Sequence, residues 1–180
     1  MAARFGCRDL RGLPGFTAVA ALALAGVAGF ALCLWWLIGA FRARQRVYAL
    51  FEINPKDYRL LASDLGGRKP LYLRYGRIVG AADAVFVSRR GHDGIIGEYK
   101  IRQHRGFVRR RERYQVTLYQ GMLKQQRNLT TVTGVIRFAD ATVSVRFDDD
   151  LFTRLVELEP EYRTARKRWR TPNPTPLHAR

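Results

Sequence analysis

The sequence predicts one mixed α/β domain, with a central mixed sheet of about four or five strands and flanking helices, behind a single N-terminal transmembrane helix. An uncharged apolar run covers residues 15–41, with Thr17 as its one polar residue. Behind it, short runs of strand character precede an Arg-rich helical segment and a second hairpin pattern. The remaining length, about 140 residues, suits one compact core and is too short for two.

Residues 1–14 form a short tail ahead of the apolar run. As a helix, the 27 residues from 15 to 41 span about 40 Å, against about 30 Å of hydrocarbon, so the segment crosses a bilayer with some tilt. Trp35 and Trp36 close the run, and Arg42, Arg44 and Arg46 follow, the order of aromatics and cations that a membrane interface favours. A cleaved secretory signal would have a shorter apolar region ending at small residues, and here the run continues through Leu34 to Ile38.

Residues 45–63 read as helical, split at Pro55, with Asn54 as the cap of a second helix. Residues 71–75, 77–88 and 95–102 read as strands. The last two are separated by the turn chemistry of Arg89-Arg90-Gly91-His92-Asp93-Gly94. A helix over residues 108–127 places Tyr114, Leu118 and Met122 at helical spacing. Residues 130–138 and 142–147 form a second hairpin. Asp148, Asp149 and Asp150 then open a final helix, where carboxylates complement the N-terminal dipole, a capping role in preference to a metal site. The domain so delimited covers residues 45–165, and residues 166–180 form a basic, proline-bearing tail expected to be disordered.

The formal net charge is +17, and 27 of the 32 basic residues are Arg. An excess of this size implies a polyanionic partner, either nucleic acid or an anionic bilayer face. Cys7 and Cys33 lie before and within the apolar run, which excludes a disulfide, a structural zinc site or an iron–sulfur cluster built from thiolates in the following domain.

Asp83, Glu98 and Lys100 carry the chemistry. Glu98 and Lys100 are two apart on a predicted strand and project from one face, while Asp83 lies on the neighbouring strand of the same hairpin. Two carboxylates brought close together favour a cation between them, and hard divalent ions prefer oxygen ligands. The bland alternative is a surface hairpin with ordinary ion pairs.

On these residues the sequence resembles the PD-(D/E)XK phosphodiesterases, in particular their RecB-type branch. Gly80-Ala81-Ala82-Asp83 is similar to the first acidic motif, with Ala82 in place of proline, and Gly97-Glu98-Tyr99-Lys100 matches E-x-K fifteen positions on. Gln115 and Tyr119 match the branch's Q-x-x-x-Y signature and, being four apart, share a helix face. The resemblance implies a restriction-endonuclease-like core and hydrolysis of DNA phosphodiester bonds. It implies that Asp83, Glu98 and the backbone carbonyl of Tyr99 hold Mg²⁺ or Mn²⁺, that Lys100 positions the attacking water, and that Gln115 and Tyr119 orient the site. Some members also carry an upstream metal-binding His; here His92, His104 and His178 all follow Asp83, leaving Glu52 or Asp57 as substitutes or as plain solvated charges.

Arg102, Arg105, Arg109, Arg110, Arg111 and Arg113 fall within twelve residues beside this constellation. They suit a nucleic-acid backbone without sequence reading, or alternatively anionic lipid. A catalytically inactive membrane-bound nucleic-acid-binding protein and a lipid-docked basic scaffold are the competing functions; the intact Asp83, Glu98 and Lys100 favour the enzyme.

The flanking charges also give a topology. Arg42, Arg44, Arg46, Lys56 and Arg59 outnumber Arg4, Arg8 and Arg11, which are offset by Asp9, so the expected location is the cell membrane with the C-terminal domain cytoplasmic. Reporter fusions at Arg180 test this: the cytoplasm-active reporter should respond and the externally active one should stay silent. A mature N-terminus beyond Ala40 would remove the anchor.

Overall fold

Leucine and alanine dominate the chain up to Arg42, and both favour helix. The computed structural model accordingly begins with one long helix, α1 (Pro14–Leu50); residues 14–65 and 70–169 are described, with the side chains of residues 14–25, 27 and 28 excepted. Two units divide the chain, Met1–Arg42 and Ala43–Arg180. Much of the expected membrane span, residues 15–41, lies outside the residues whose side chains are described, and among the described residues no helix is long and apolar enough to cross a membrane. The 1–14 tail, apart from Pro14, and residues 170–180 of the expected C-terminal tail also lie outside the described residues.

The second unit is a mixed α/β domain. Its elements run β1 (Tyr58–Ser63), β2 (Leu71–Tyr75), β3 (Ile78–Ala82), β4 (Ala84–Ser88), β5 (Asp93–Tyr99), α2 (Arg110–Arg127), β6 (Thr131–Arg137), β7 (Thr142–Val145), α3 (Asp149–Glu157) and α4 (Glu159–Lys167). A five-stranded sheet has the order β1-β4-β5-β6-β7, and β2 with β3 forms a separate two-stranded sheet. All pairs are antiparallel except β5 with β6, which is parallel. A parallel pair needs a crossover connection, and α2 supplies it.

Three sequence expectations are corrected. The second half of the expected 45–63 helix is the edge strand β1. Asn54 caps no helix: its side chain organises a turn, accepting from the Lys56 N–H and donating to Asp57. Tyr58, Leu60 and the residues after them then pair with β4, with a register shift between Leu60 and Ala62. The Tyr48 hydroxyl fills that irregular stretch, accepting from the Leu60 N–H at 2.7 Å and donating to the Tyr58 carbonyl at 3.1 Å. Sheet pairing thus outweighs a helical pattern of only two turns. The expected strand 77–88 is two strands in two sheets, parted at Asp83. The expected tail also begins later, since α4 continues through Arg166 and Lys167.

Side chains alternate across the large sheet and feed two cores. Ala84 and Phe86 of β4 pack with Val47, Tyr48, Phe51 and Leu60 on one face. Val85 and Ile96 pack on the other with Met122 and Leu123 of α2 and with Leu73 of the hairpin. Gln120, fully buried, donates to the carbonyls of Val132 and Val145, both at 3.0 Å, and so ties α2 to β6 and β7. Asp148 caps α3 as expected, its side chain accepting from the Leu151 N–H at 3.0 Å.

The α2–α3 contact gives a test of packing. At Gly121, inside α2, an added Cβ would lie 2.3 Å from Phe152 Cδ2 and 2.4 Å from Cε2. Helix propensity alone makes Gly121→Ala stabilising by about 1 kcal/mol, whereas overpacking costs about 1–3 kcal/mol. Phe152 is buried and has little room to yield, so denaturant unfolding should show net destabilisation.

Candidate active site

The break at Asp83 positions the site. Its backbone carbonyl accepts from Ser63 Oγ at 2.8 Å and from the Asp64 N–H at 3.1 Å, which fixes the junction between β3 and β4. Its carboxylate accepts from the Tyr99 N–H at 2.6 Å, across to the neighbouring strand. Because Ala84 pairs with Gly97, alternation puts Asp83 and Glu98 on the sheet face that α2 covers.

Glu98 is 3% exposed. Its Oε1 accepts from Lys100 Nζ and from Gln115 Nε2, both at 2.7 Å, while its Oε2 is buried with no protein partner among the described residues. Lys100 Nζ also lies 3.4 Å from Gln115 Oε1, and Gln115 Nε2 lies 3.3 Å from the Tyr119 hydroxyl. The single helical turn between Gln115 and Tyr119 puts them on one face, where Gln115 reaches Glu98 and Tyr119 meets Gln115. Asp83, Glu98, Lys100, Gln115 and Tyr119 therefore meet at one place, around the end of β5, with the Tyr99 backbone tying Asp83 to that strand.

Burial raises the Glu98 carboxyl above its ordinary value, and the nearby Asp83 adds to the rise; the bond from Lys100 opposes both. Burial raises Asp83 as well, opposed by the Tyr99 N–H and reinforced by Asp64. Tyr119 is pushed up by burial, then by the charges of Glu98 and Asp83, although its bond with Gln115 pulls the other way. Two carboxylates, one of them with an orphaned buried oxygen, form a hard-oxygen donor set that fits a divalent cation completed by water or phosphate oxygens. Among the described residues no group of three His, Cys, Asp or Glu side chains is placed to hold a metal, so protein carboxylates alone would not fill the shell.

The remaining candidates lie elsewhere. Glu52 pairs with Arg137 at 2.8 Å and accepts from Thr142, and Asp57 accepts from Asn54, so both are engaged away from the carboxylate pair. Arg102 is bound inside the domain: Nε and Nη2 fork onto Glu112 at 3.0 and 2.6 Å, Nη1 donates to the carbonyls of Gln103 and His104, and the guanidinium stacks 4.6 Å from the Phe138 ring centre. Burial would raise the Glu112 carboxyl, yet the bonds from Arg102 and the Arg109 N–H hold it below the ordinary range. Arg113 pairs with Asp148 at 3.0 Å. Arg105, Arg110 and Arg111 are exposed, and Arg109 is half-buried at the start of α2.

Three contributors are not legible as such in the sequence. Ser63 and Asp64 hold the Asp83 backbone from β1, a strand that the sequence pattern reads as helix. Gly80 leaves room for Tyr119, whose Cε1 would lie 2.3 Å from an added Cβ. The signal for Gly80 was its place three residues before Asp83, where a side chain on the same strand would meet α2.

No protein-family model and no curated protein matches this chain. Among the solved structures that match is the crystal structure of SSO0001, with a TM-score of 0.35 and 18% identity. The match covers 79% of this chain and 66% of that one, just under two thirds, and the likeness is too loose to carry an argument.

The raised carboxyls give a pH test in EDTA. A carboxyl whose folded value exceeds its unfolded value of about 4 contributes stability below that value, and the contribution is lost as pH rises through the folded value. Glu98→Gln removes the charge that burial opposes. Its melting temperature relative to wild type should therefore be more favourable at pH 8 than at pH 5; a difference independent of pH would show that Glu98 is not raised.

Proposed function

We propose that this chain is a membrane-anchored, metal-dependent nuclease of the PD-(D/E)XK type, hydrolysing DNA phosphodiester bonds. The observation that carries the reading is the convergence of Lys100 and Gln115 on the buried Glu98 carboxylate, which keeps one unpartnered oxygen, with Asp83 tied to the next residue of the same strand. Two acids and a lysine in this order, on adjacent strands covered by a helix bearing Gln and Tyr, match what the sequence motifs imply.

Asp83, Glu98 and the Tyr99 carbonyl would hold Mg²⁺ or Mn²⁺. A bound ion supplies a water of lowered pKa and neutralises charge developing at phosphorus. The protein's own part is positional. Lys100 keeps an ammonium beside Glu98, where it can orient a water and face a phosphate oxygen. Gln115 fixes Glu98 Oε1, so the free Oε2 is the atom presented to a ligand. Tyr119 steadies Gln115 through its hydroxyl, which accepts from Gln115 Nε2. Exposed Arg105 and Arg111, with Arg109 and Arg110, supply positive charge for the phosphate backbone, with anionic lipid as the other polyanion that they suit.

Incubating the full-length chain with plasmid DNA and Mg²⁺ or Mn²⁺ tests the activity. Cleavage is expected with metal and not with EDTA. Asp83→Asn and Glu98→Ala should each lower the rate at least a hundredfold while leaving DNA affinity within about threefold. Wild-type rates in either variant would remove this active site.

A further inference from the structure

Outside the carboxylate site, the side of the domain formed by the β2–β3 hairpin and α4 carries a concave surface with its own charge pattern. Arg77 and Val79 of the hairpin face Tyr162, Arg163, Arg166 and Lys167 of α4 across a groove of about 540 Å³. Glu159 is the one carboxylate in its lining, and it is bridged to Arg163. Arg77, Arg166 and Lys167 are exposed, and none makes an ion pair with another described residue that would neutralise it.

The groove continues in two directions. Ile78 and Tyr162 also line an adjoining, mainly apolar recess of about 340 Å³ with Leu118, Leu155 and Leu158, and Glu159 and Glu161 stand in its lining as well. Along the hairpin, Tyr72 pairs with Ala81 and Arg74 with Val79, so Tyr72, Arg74 and Val79 share the outward face. Tyr72 is 68% exposed and Tyr162 60%, large areas for aromatic rings to leave uncovered. Tyr72 lies at the end of the hairpin next to Asp83. From the groove to Asp83 the path follows β3, five residues or about 17 Å of extended chain.

We propose that this groove and hairpin face form the track of a single-stranded nucleic acid leading to Asp83 and Glu98, an inference that rests on the nuclease reading. Arg77, Arg166 and Lys167 take the phosphates, and Tyr162 and Tyr72 take bases by stacking. Stacking on an aromatic face does not depend on which base is presented, so binding is indifferent to sequence. Exposed aromatics among cations suit unpaired bases, which present their faces, and do not suit a duplex, which hides them. A cleft between a hairpin and a helix follows a linear polyanion, whereas a bilayer offers a flat one. The assignment also relieves the Arg-rich segment before α2 of a part of the task, because Arg102 and Arg113 are engaged within the domain.

The test uses the full-length chain in EDTA, with fluorescein-labelled oligothymidylate of about 20 nucleotides, a duplex of equal length, and phosphatidylserine vesicles as probes. Wild type should bind the single strand at least fivefold more tightly than the duplex. The variant Arg77→Gln/Arg166→Gln/Lys167→Gln should lose at least tenfold in affinity and about 2 units of log–log salt slope, about 0.7 for each phosphate contact. Tyr72→Ala should weaken binding about tenfold with the slope unchanged. Arg77→Gln alone, on an exposed turn, should lose about 0.7 of slope, which guards against a folding defect in the triple variant.

Unchanged affinity and slope in the triple variant would overturn the track, as would binding lost only in Arg105→Gln/Arg111→Gln. Loss of vesicle binding without loss of oligonucleotide binding would also overturn it, in favour of a lipid-facing surface. Glu98→Ala separates the two readings: cleavage lost there with the triple variant still binding normally leaves the nuclease and removes the track. Cleavage retained in Glu98→Ala, with binding lost in the triple variant, leaves the track and removes the nuclease.

Discussion

A carboxylate buried to 3% exposure on a sheet strand sets the terms for everything around it. Glu98 cannot be left without compensation at that depth, since an isolated buried charge costs several kcal/mol even after relaxation. The protein answers on one side only. Lys100 and Gln115 both reach Oε1, which requires α2 to lie across the end of β5, and this in turn requires the parallel β5–β6 pair that α2 connects. Oε2 is left over. That remaining oxygen is the atom that the proposed nuclease would offer to its metal ion.

The same economy governs the backbone at Asp83. One residue parts the hairpin strand β3 from β4, receives Ser63 and Asp64 on its carbonyl, and reaches Tyr99 with its side chain. Gly80, three residues earlier, lets Tyr119 press against the hairpin. Main-chain bonds thus hold Asp83, whereas Glu98, Gln115 and Tyr119 are held through one another's side chains, on adjoining strands and a helix that give greater precision than loops.

Much of this was legible in the sequence, for identifiable reasons. Glu98 and Lys100 at a spacing of two, and Gln115 and Tyr119 at a spacing of four, are local periodicities that survive folding unchanged. The aspartates at 148–150 announced a helix start because capping is local as well. Where the decisive contact was distant, the pattern misled. Residues 58–63 have a helix-compatible pattern, but their partner β4 lies more than twenty residues away. Arg102 looked like one more free cation because Glu112, its partner ten residues on, looked like a lone acid in a basic run. The strand break at Asp83 carries no glycine or proline, so nothing nearby marks it.

That break has a consequence for how the chain comes into being. Asp83 and Glu98 sit together only after β3 and β4 have separated into different sheets and β5 has paired, and Gln115 reaches them only when α2 has docked. Any property of the pair therefore belongs to β4, β5 and α2 jointly, and no one segment of the chain carries it alone.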